Sequence, residues 1–331
     1  MVAQVDKSFS KLAGWRLLVR WISYLFYEGR PLTTKGRWFN KVVFLLFRIQ
    51  ARIPIAKVVD RPIFILGTGR SGTTILGVTL GIHSDVGFLN EPKAVWAYAY
   101  PNEDLIGSYN LNTASYFLDK DDCTNGTKVK LQRIYAHYLA LTNSRRLVDK
   151  YPELIFRLGF VREIFPDAKF IFLYRNGNDT VASIEHWSER LGIDDGKDRH
   201  DWWGVNDRKW HLFCDQVVAQ DADLLEHYSE IRNFTNHRYR AAVEWILTMR
   251  EGLKIAEQYP NDVYAIKYED YVSSPQSRSE LLAFCGLEEN STYSTYCDEV
   301  LSPARGVEAI ELPIQIASVY KQTMQELGYA G

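Results

Sequence analysis

Cysteine is scarce in this 331-residue chain: Cys123, Cys214, Cys285 and Cys297 are the four, and no two stand in a C-x-x-C spacing. That pattern builds neither a zinc site nor a disulfide framework, so a reducing compartment, the cytoplasm, is the expected setting. Long apolar runs are missing too. No stretch approaches the roughly 18 uninterrupted apolar residues of a spanning helix, and the N-terminus lacks a secretory signal with a small-residue cleavage site. Charge of one sign is lacking: a net charge of −2 gives no support for nucleic-acid binding across the surface. There is no internal repeat, low-complexity tract or flexible linker. What remains is an ordinary globular composition, 46% hydrophobic and 24% charged, suited to one large α/β domain.

The charge is unevenly placed. Residues 1–60 hold 11 Lys/Arg against 3 Asp/Glu. Within them "KLAGWRLLVRWISYLFY" and "GRWFNKVVFLLFRIQ" mix basic residues with aromatic and aliphatic ones, which predicts two amphipathic helices. Three uses stay open: packing on their own domain, packing on a second subunit in a homodimer, or lying at a membrane surface among anionic headgroups. Residues 1–60 are thus set apart as a basic, aromatic N-terminal helical segment, and 61–331 as the main domain.

After Asp60 strands and helices alternate. "PIFIL" (62–66), "VGF" (86–88), "RLVDK" (146–150), "AKFIFLY" (168–174) and "DVYAIKYEDY" read as strands, the apolar runs as strands buried on both faces. Helices are predicted over 73–83, in "KVKLQRIYAHYLALTN", from Pro152, from about Asn178, near 206–231 and 236–259, and in "SPQSRSELLAFCGL". The polar stretch 189–209 reads as a long surface loop. The alternation predicts a central parallel sheet flanked by helices on both faces.

Between the first strand and helix stands "GTGRSGTT" (67–74). A glycine turn leading into a helix start is a ready anion site, because first-turn N–H groups and the helix dipole point at the ligand. Gly67, Gly69 and Gly72 permit close backbone approach, Ser71, Thr73 and Thr74 add hydroxyls, and Arg70 adds a fixed charge. The spacing is that of a nucleotide-binding P-loop, but the lysine after the second glycine is replaced by Thr73. No aspartate evident at a later strand end offers to hold magnesium. The loop therefore suits an anion less charged than a triphosphate. A second stretch, "YRNGNDTVAS" (174–183), places Arg175 at a strand end and Ser183 about two helical turns on, where both can meet one phosphate. The plainer alternative is a surface arginine and a helix cap at Asn178 or Asp179.

Together the two stretches resemble those of sulfotransferases that use 3′-phosphoadenosine 5′-phosphosulfate (PAPS). "IKYEDYVSSP…LLAFCGL" (266–287) is similar to a third, fold-supporting stretch of that family, and the chain as a whole resembles its heparan sulfate and tyrosylprotein type. The resemblance spans roughly residues 60–290. It implies the P-loop NTPase-like sulfotransferase fold, a 5′-phosphosulfate on "RSGTT", a 3′-phosphate on Arg175 and Ser183, adenosine 3′,5′-bisphosphate as product, and no metal. It also implies Glu91, in "GFLNEPKAVW", as base for the attacking hydroxyl, with Lys150 and Arg70 neutralising charge in the transition state. Apolar neighbours are expected to raise the Glu91 pKa towards a useful range. His83 is the rival base, although "GIHSDV" reads more simply as a helix end. Arg305 in "SPARGVE" is similar to a late basic-plus-glycine segment that closes over the 3′-phosphate in many relatives.

The expected acceptor is a hydroxyl on a glycan or glycolipid. Trp187, Trp202, Trp203 and Trp210 are placed either to stack on sugar rings or to pack in a core. A tyrosine-directed protein sulfotransferase, a small-molecule P-loop kinase and a catalytically silent binding protein of the same fold remain the alternatives.

Overall fold

The computed structural model describes residues 4–31, 33–194, 196–303, 306 and 308–330. Five strands form one parallel sheet in the order β2-β3-β1-β4-β8: β1 (Ile63–Gly67), β2 (Val86–Asn90), β3 (Arg146–Lys150), β4 (Lys169–Tyr174) and β8 (Val263–Lys267). Alternation along each strand separates two cores. Phe64, Leu66, Leu147, Phe170 and Phe172 enter the larger one, while Ile63, Ile65, Val148, Ile171 and Leu173 enter the other. Helices cover both faces, as the apolar strand runs require.

Three helices precede the sheet: α1 (Lys7–Leu12), α2 (Arg16–Phe26) and α3 (Asn40–Arg52). Next come α4 (Thr73–Gly81), α5 (Lys93–Ala99), α6 (Asn125–Leu141), α7 (Leu158–Ile164) and α8 (Gly177–Leu191). Pro152 opens a 3-10 turn, Pro152–Arg157, ahead of α7, so the helix expected from that proline starts six residues later. The stretch expected to be a loop after residue 189 contains a small antiparallel sheet, β5 (Ile193–Asp194), β6 (Arg199–Asp201) and β7 (Gly204–Val205). Its strands are too short and polar to show an alternation pattern. Beyond it lie α9 (Arg208–Gln216), α10 (Tyr228–Arg232), α11 (His237–Gln258), α12 (Tyr268–Ser273), α13 (Pro275–Cys285), α14 (Ser291–Val300) and α15 (Ile314–Glu326).

The first residues are tied to the sheet by specific bonds. β2 is an edge strand, and the polar groups on its open side need partners. Helix α2 supplies them with side chains. Arg16 donates from Nη2 to the Val86 carbonyl and from Nε to that of His83 at 3.1 Å. Arg20 donates to the Phe88 carbonyl at 3.0 Å, and Glu28 accepts from the Asn90 N–H at 2.8 Å. Arg20 and Glu28 are themselves paired at 2.5 Å and nearly fully buried. Helix α3 packs on α5 and α6, and α1 on α14 through Phe9 and Tyr296.

Removing one partner of a buried ion pair strands the other charge. Arg20→Met is expected to cost about 3 kcal/mol in urea unfolding. A loss below about 1 kcal/mol, the scale of an exposed pair, would show that the sealed edge is not where α2 is held.

Candidate active site

Because the strands are parallel, their C-terminal ends share one rim. Gly67 of β1 lies opposite Leu173 of β4, and Ile65 opposite Lys150 of β3. The glycine turn, Glu91, Lys150 and Arg175 all leave the sheet there.

Gly67 has φ +139°, and a Cβ at that position would stand 2.5 Å from the Leu173 carbonyl oxygen. Gly72 has φ +101° and is covered by the Tyr268 ring, 2.4 Å from where its Cβ would be. Arg70 holds φ +71° without being glycine. Such strain, typically 1–3 kcal/mol, is concentrated at functional turns. Ser71 is buried, and its hydroxyl donates to the Thr68 carbonyl at 2.6 Å, so it braces the loop. Thr74 is half-buried at the first turn of α4. Thr68 Oγ1, Thr73 Oγ1 and Arg175 Nε are buried without a hydrogen-bond partner among the described residues. Three polar atoms left so at one rim suit an anion.

The second stretch adjoins the first because β1 and β4 are hydrogen-bonded neighbours. Arg70 Nε donates to Ser183 Oγ at 3.1 Å, which joins the two stretches directly. Arg175 pairs instead with Asp179 at 3.2 Å and lies 4.7 Å over the Tyr268 ring. The cap of α8 is Asn176, which accepts from the Asn178 N–H, rather than Asn178 or Asp179. Asn178 accepts at 2.8 Å from Tyr320 of the last helix. Arg305 lies outside the described residues.

Glu91 follows the last residue of β2 with φ +50°, its N–H bonded to the Lys150 carbonyl at 2.7 Å. The Lys150 ammonium, nearly fully buried, donates to Glu91 Oε1, and Lys93 stands 3.6 Å from Oε2. Burial would raise this carboxyl, but the Lys150 and Lys93 ammonium groups outweigh it and hold it below its ordinary range. The expected upward shift is therefore reversed, because cations rather than apolar side chains are the neighbours. His83 is no rival: it is buried, its ring bonded to the Glu288 carbonyl and the Asp85 N–H. Asp149 occupies the penultimate position of β3, yet its carboxylate turns into the core to accept from Trp96 and Tyr135.

Beside the loop lies a cavity of about 250 Å³, walled by Gly67, Thr68, Gly69, Glu91 and Lys93 among others. A line of alternating charges runs along it. Lys93 meets Glu153 at 3.0 Å, Lys209 stands 3.8 Å from Glu153 and 2.5 Å from Glu244, and Glu244 accepts from Trp202 at 2.7 Å. Trp187 and Trp202 line the cavity edge to face with each other, whereas Trp203 and Trp210 are fully buried. A Cβ on Gly69 would stand 2.4 Å from the Trp202 ring. Lys93 was within reach of sequence reasoning, two residues after Glu91. Glu153, Lys209 and Glu244 come from three distant segments and carry no local signal.

Lys150→Met removes the larger favourable charge on Glu91, so the folded-state pKa of that carboxyl should rise. A depressed carboxyl adds stability that is present above its unfolded pKa and lost as pH falls through the folded value. In Lys150→Met the share of the acid loss that comes from Glu91 should be smaller and should be complete at a higher pH in thermal melts. An acid loss as large as the wild type's, ending at the same pH, would overturn the pairing.

Residues 62–192 match the model of the sulfotransferase family. The nodulation protein NoeE of Sinorhizobium fredii is 32% identical over 127 residues, 37% of this chain and 30% of that protein. The protein-tyrosine sulfotransferase of Drosophila melanogaster is 31% identical over 221 residues, 64% of this chain and 41% of that protein. The chain thus spans less than half the length of both relatives. Among solved structures, the sulfotransferase domain of the Synechococcus PCC 7002 olefin synthase superposes with a TM-score of 0.50 at 17% identity, covering 84% of this chain and 98% of that one. Its likeness is one of fold. The family match falls on residues 62–192, the part of the chain that carries both the glycine turn and the Arg175–Ser183 stretch.

Proposed function

We propose that the protein transfers the sulfuryl group of PAPS to a hydroxyl of a carbohydrate or glycolipid. The observation that carries this reading is the Arg70–Ser183 bond, which joins two anion cradles at a rim shared with Glu91 and Lys150. The unpartnered Thr73 hydroxyl and Arg175 Nε fit a ligand with two separate phosphate ends. The first-turn N–H groups of α4, with Thr73, Thr74 and Arg70, would hold the phosphosulfate end; Arg175 and Ser183 would hold the 3′-phosphate. When bound, PAPS supplies an activated sulfuryl group.

The chain's own residues do the rest. Glu91 takes the proton from the acceptor hydroxyl, and the Lys150 ammonium lies next to it, ready to offset negative charge. Glu91 is a weak base while two ammonium groups face it. Its basicity rises as Lys150 shares its charge with an anion at the loop. Trp187 and Trp202 line the cavity beside these groups.

The cavity favours a polyol. Ammonium groups only donate and carboxylates only accept, so alternating Lys93, Glu153, Lys209 and Glu244 suit hydroxyls, which do both. Trp187 and Trp202 supply flat apolar surface beside them. The match to a protein-tyrosine sulfotransferase supports a second reading, with a protein tyrosine as acceptor.

Adenosine 3′,5′-bisphosphate without magnesium should raise the melting temperature, and ATP with magnesium should not. The reverse result would point to a kinase. Arg175→Ala should weaken the bisphosphate about tenfold or more, the scale of a hydrogen bond to a charged group. Glu91→Gln should keep bisphosphate binding and lower turnover by about 10²–10⁴; near-normal turnover removes Glu91 from the role of base. Labelled PAPS offered with glycan, glycolipid and tyrosine-peptide acceptors decides between the two acceptor readings.

A further inference from the structure

Helix α3 buries Val43, Phe47, Gln50 and Ala51. Its opposite side is also apolar, but exposed. Val42 is 43% exposed, Leu45 53% and Ile49 48%, and the line continues through Trp38 at 74% and Ile53 at 50%. At about 100° per residue these five fall within an arc of roughly 80°, facing away from the buried side. Arg37, Lys41, Arg48 and Arg52, all exposed, border that arc on one edge. Between Glu28 and Asp60 the chain has seven Lys/Arg and no Asp/Glu. The arginines of α2 differ: Arg16 and Arg20 are buried and committed to β2.

We propose that this face of α3 docks on an anionic lipid surface, with the helix lying in the plane of the headgroups. Charge selects the occupant. Two copies meeting face to face through this stripe would bring like charges together, whereas anionic headgroups neutralise them. Tryptophan at the end of the stripe suits the interface. At 13 residues α3 is about 20 Å long, too short to span a bilayer. Among the described residues no helix is long and apolar enough to cross a membrane. The segment joining α2 to α3 also walls the cavity, through Glu28, Arg30, Pro31, Thr33 and Thr34. Docking therefore sets that wall close to the lipid. That a lipid-borne acceptor is met there rests on the proposed function; the docking itself does not.

The test is flotation of the full chain with vesicles of phosphatidylcholine alone, or of equal parts phosphatidylcholine and phosphatidylglycerol. The expected result is binding to the anionic vesicles at least tenfold stronger than to neutral ones, weakening as salt is added. Leu45→Glu with Ile49→Glu should abolish it, and Lys41→Glu with Arg48→Glu should remove the preference for anionic lipid. All four positions are exposed, so melting temperature and the bisphosphate-induced shift should stay as in the wild type. Absence of binding to either vesicle, or equal binding by the Leu45/Ile49 variant, overturns the proposal. So does a dimer in light scattering that this variant dissociates while the wild type ignores vesicles, which would make the stripe a self-interface. A chain that binds vesicles but shows no bisphosphate shift upholds the docking and refutes only the sulfotransferase reading.

Discussion

Parallel pairing of the central strands is the constraint on which the rest of the structure depends. Parallel strands end on the same rim, so residues separated by tens of positions leave the sheet side by side. Gly67 opposite Leu173 brings the glycine turn next to the approach to Arg175. Asn90 opposite Lys150 brings Glu91 to its ammonium partner. Slip one strand by a residue and every side chain changes face. The rim would then lose its order along with the cores.

The edge of that sheet matters nearly as much. β2 leads directly into Glu91 but has a neighbour on one side only. Arg16, Arg20 and Glu28 fill the open side, and the Glu28 bond to the Asn90 N–H reaches the residue before Glu91. The helix that seals the edge thereby steadies the strained turn at φ +50°. Two of the basic residues that make the N-terminal segment look like a surface-binding region are spent on this work. The exposed cations of α3 are the ones left over.

The electrostatics around Glu91 set a tension. In the proposed reading Glu91 must accept a proton, yet two ammonium groups hold this carboxyl ionised and below its ordinary range. The pairing also satisfies the buried Lys150, whose charge would otherwise be costly. The cavity continues the same logic with Lys93, Glu153, Lys209 and Glu244, each charge compensated by the next.

By itself the sequence determined the strands of the central sheet and the glycine turn after the first of them. Continuous apolar runs such as "RLVDK" and "FIFLY" can be buried strands only if helices cover both sides, and "GTGRSGTT" permits few backbone paths. The resemblance of two stretches to a known family, rather than spacing, pointed to Arg70, Arg175, Ser183 and Glu91 together. Tertiary structure alone decided who faces whom. Ser183 meets Arg70 and Arg175 meets Asp179; Glu91 lies among cations where apolar neighbours were expected; and Trp187 and Trp202 reach the cavity while Trp203 and Trp210 are core. The reason is range. Propensity and periodicity act over a few residues, whereas a carboxylate's pKa and an indole's burial are set by side chains that arrive from distant segments only when the sheet closes.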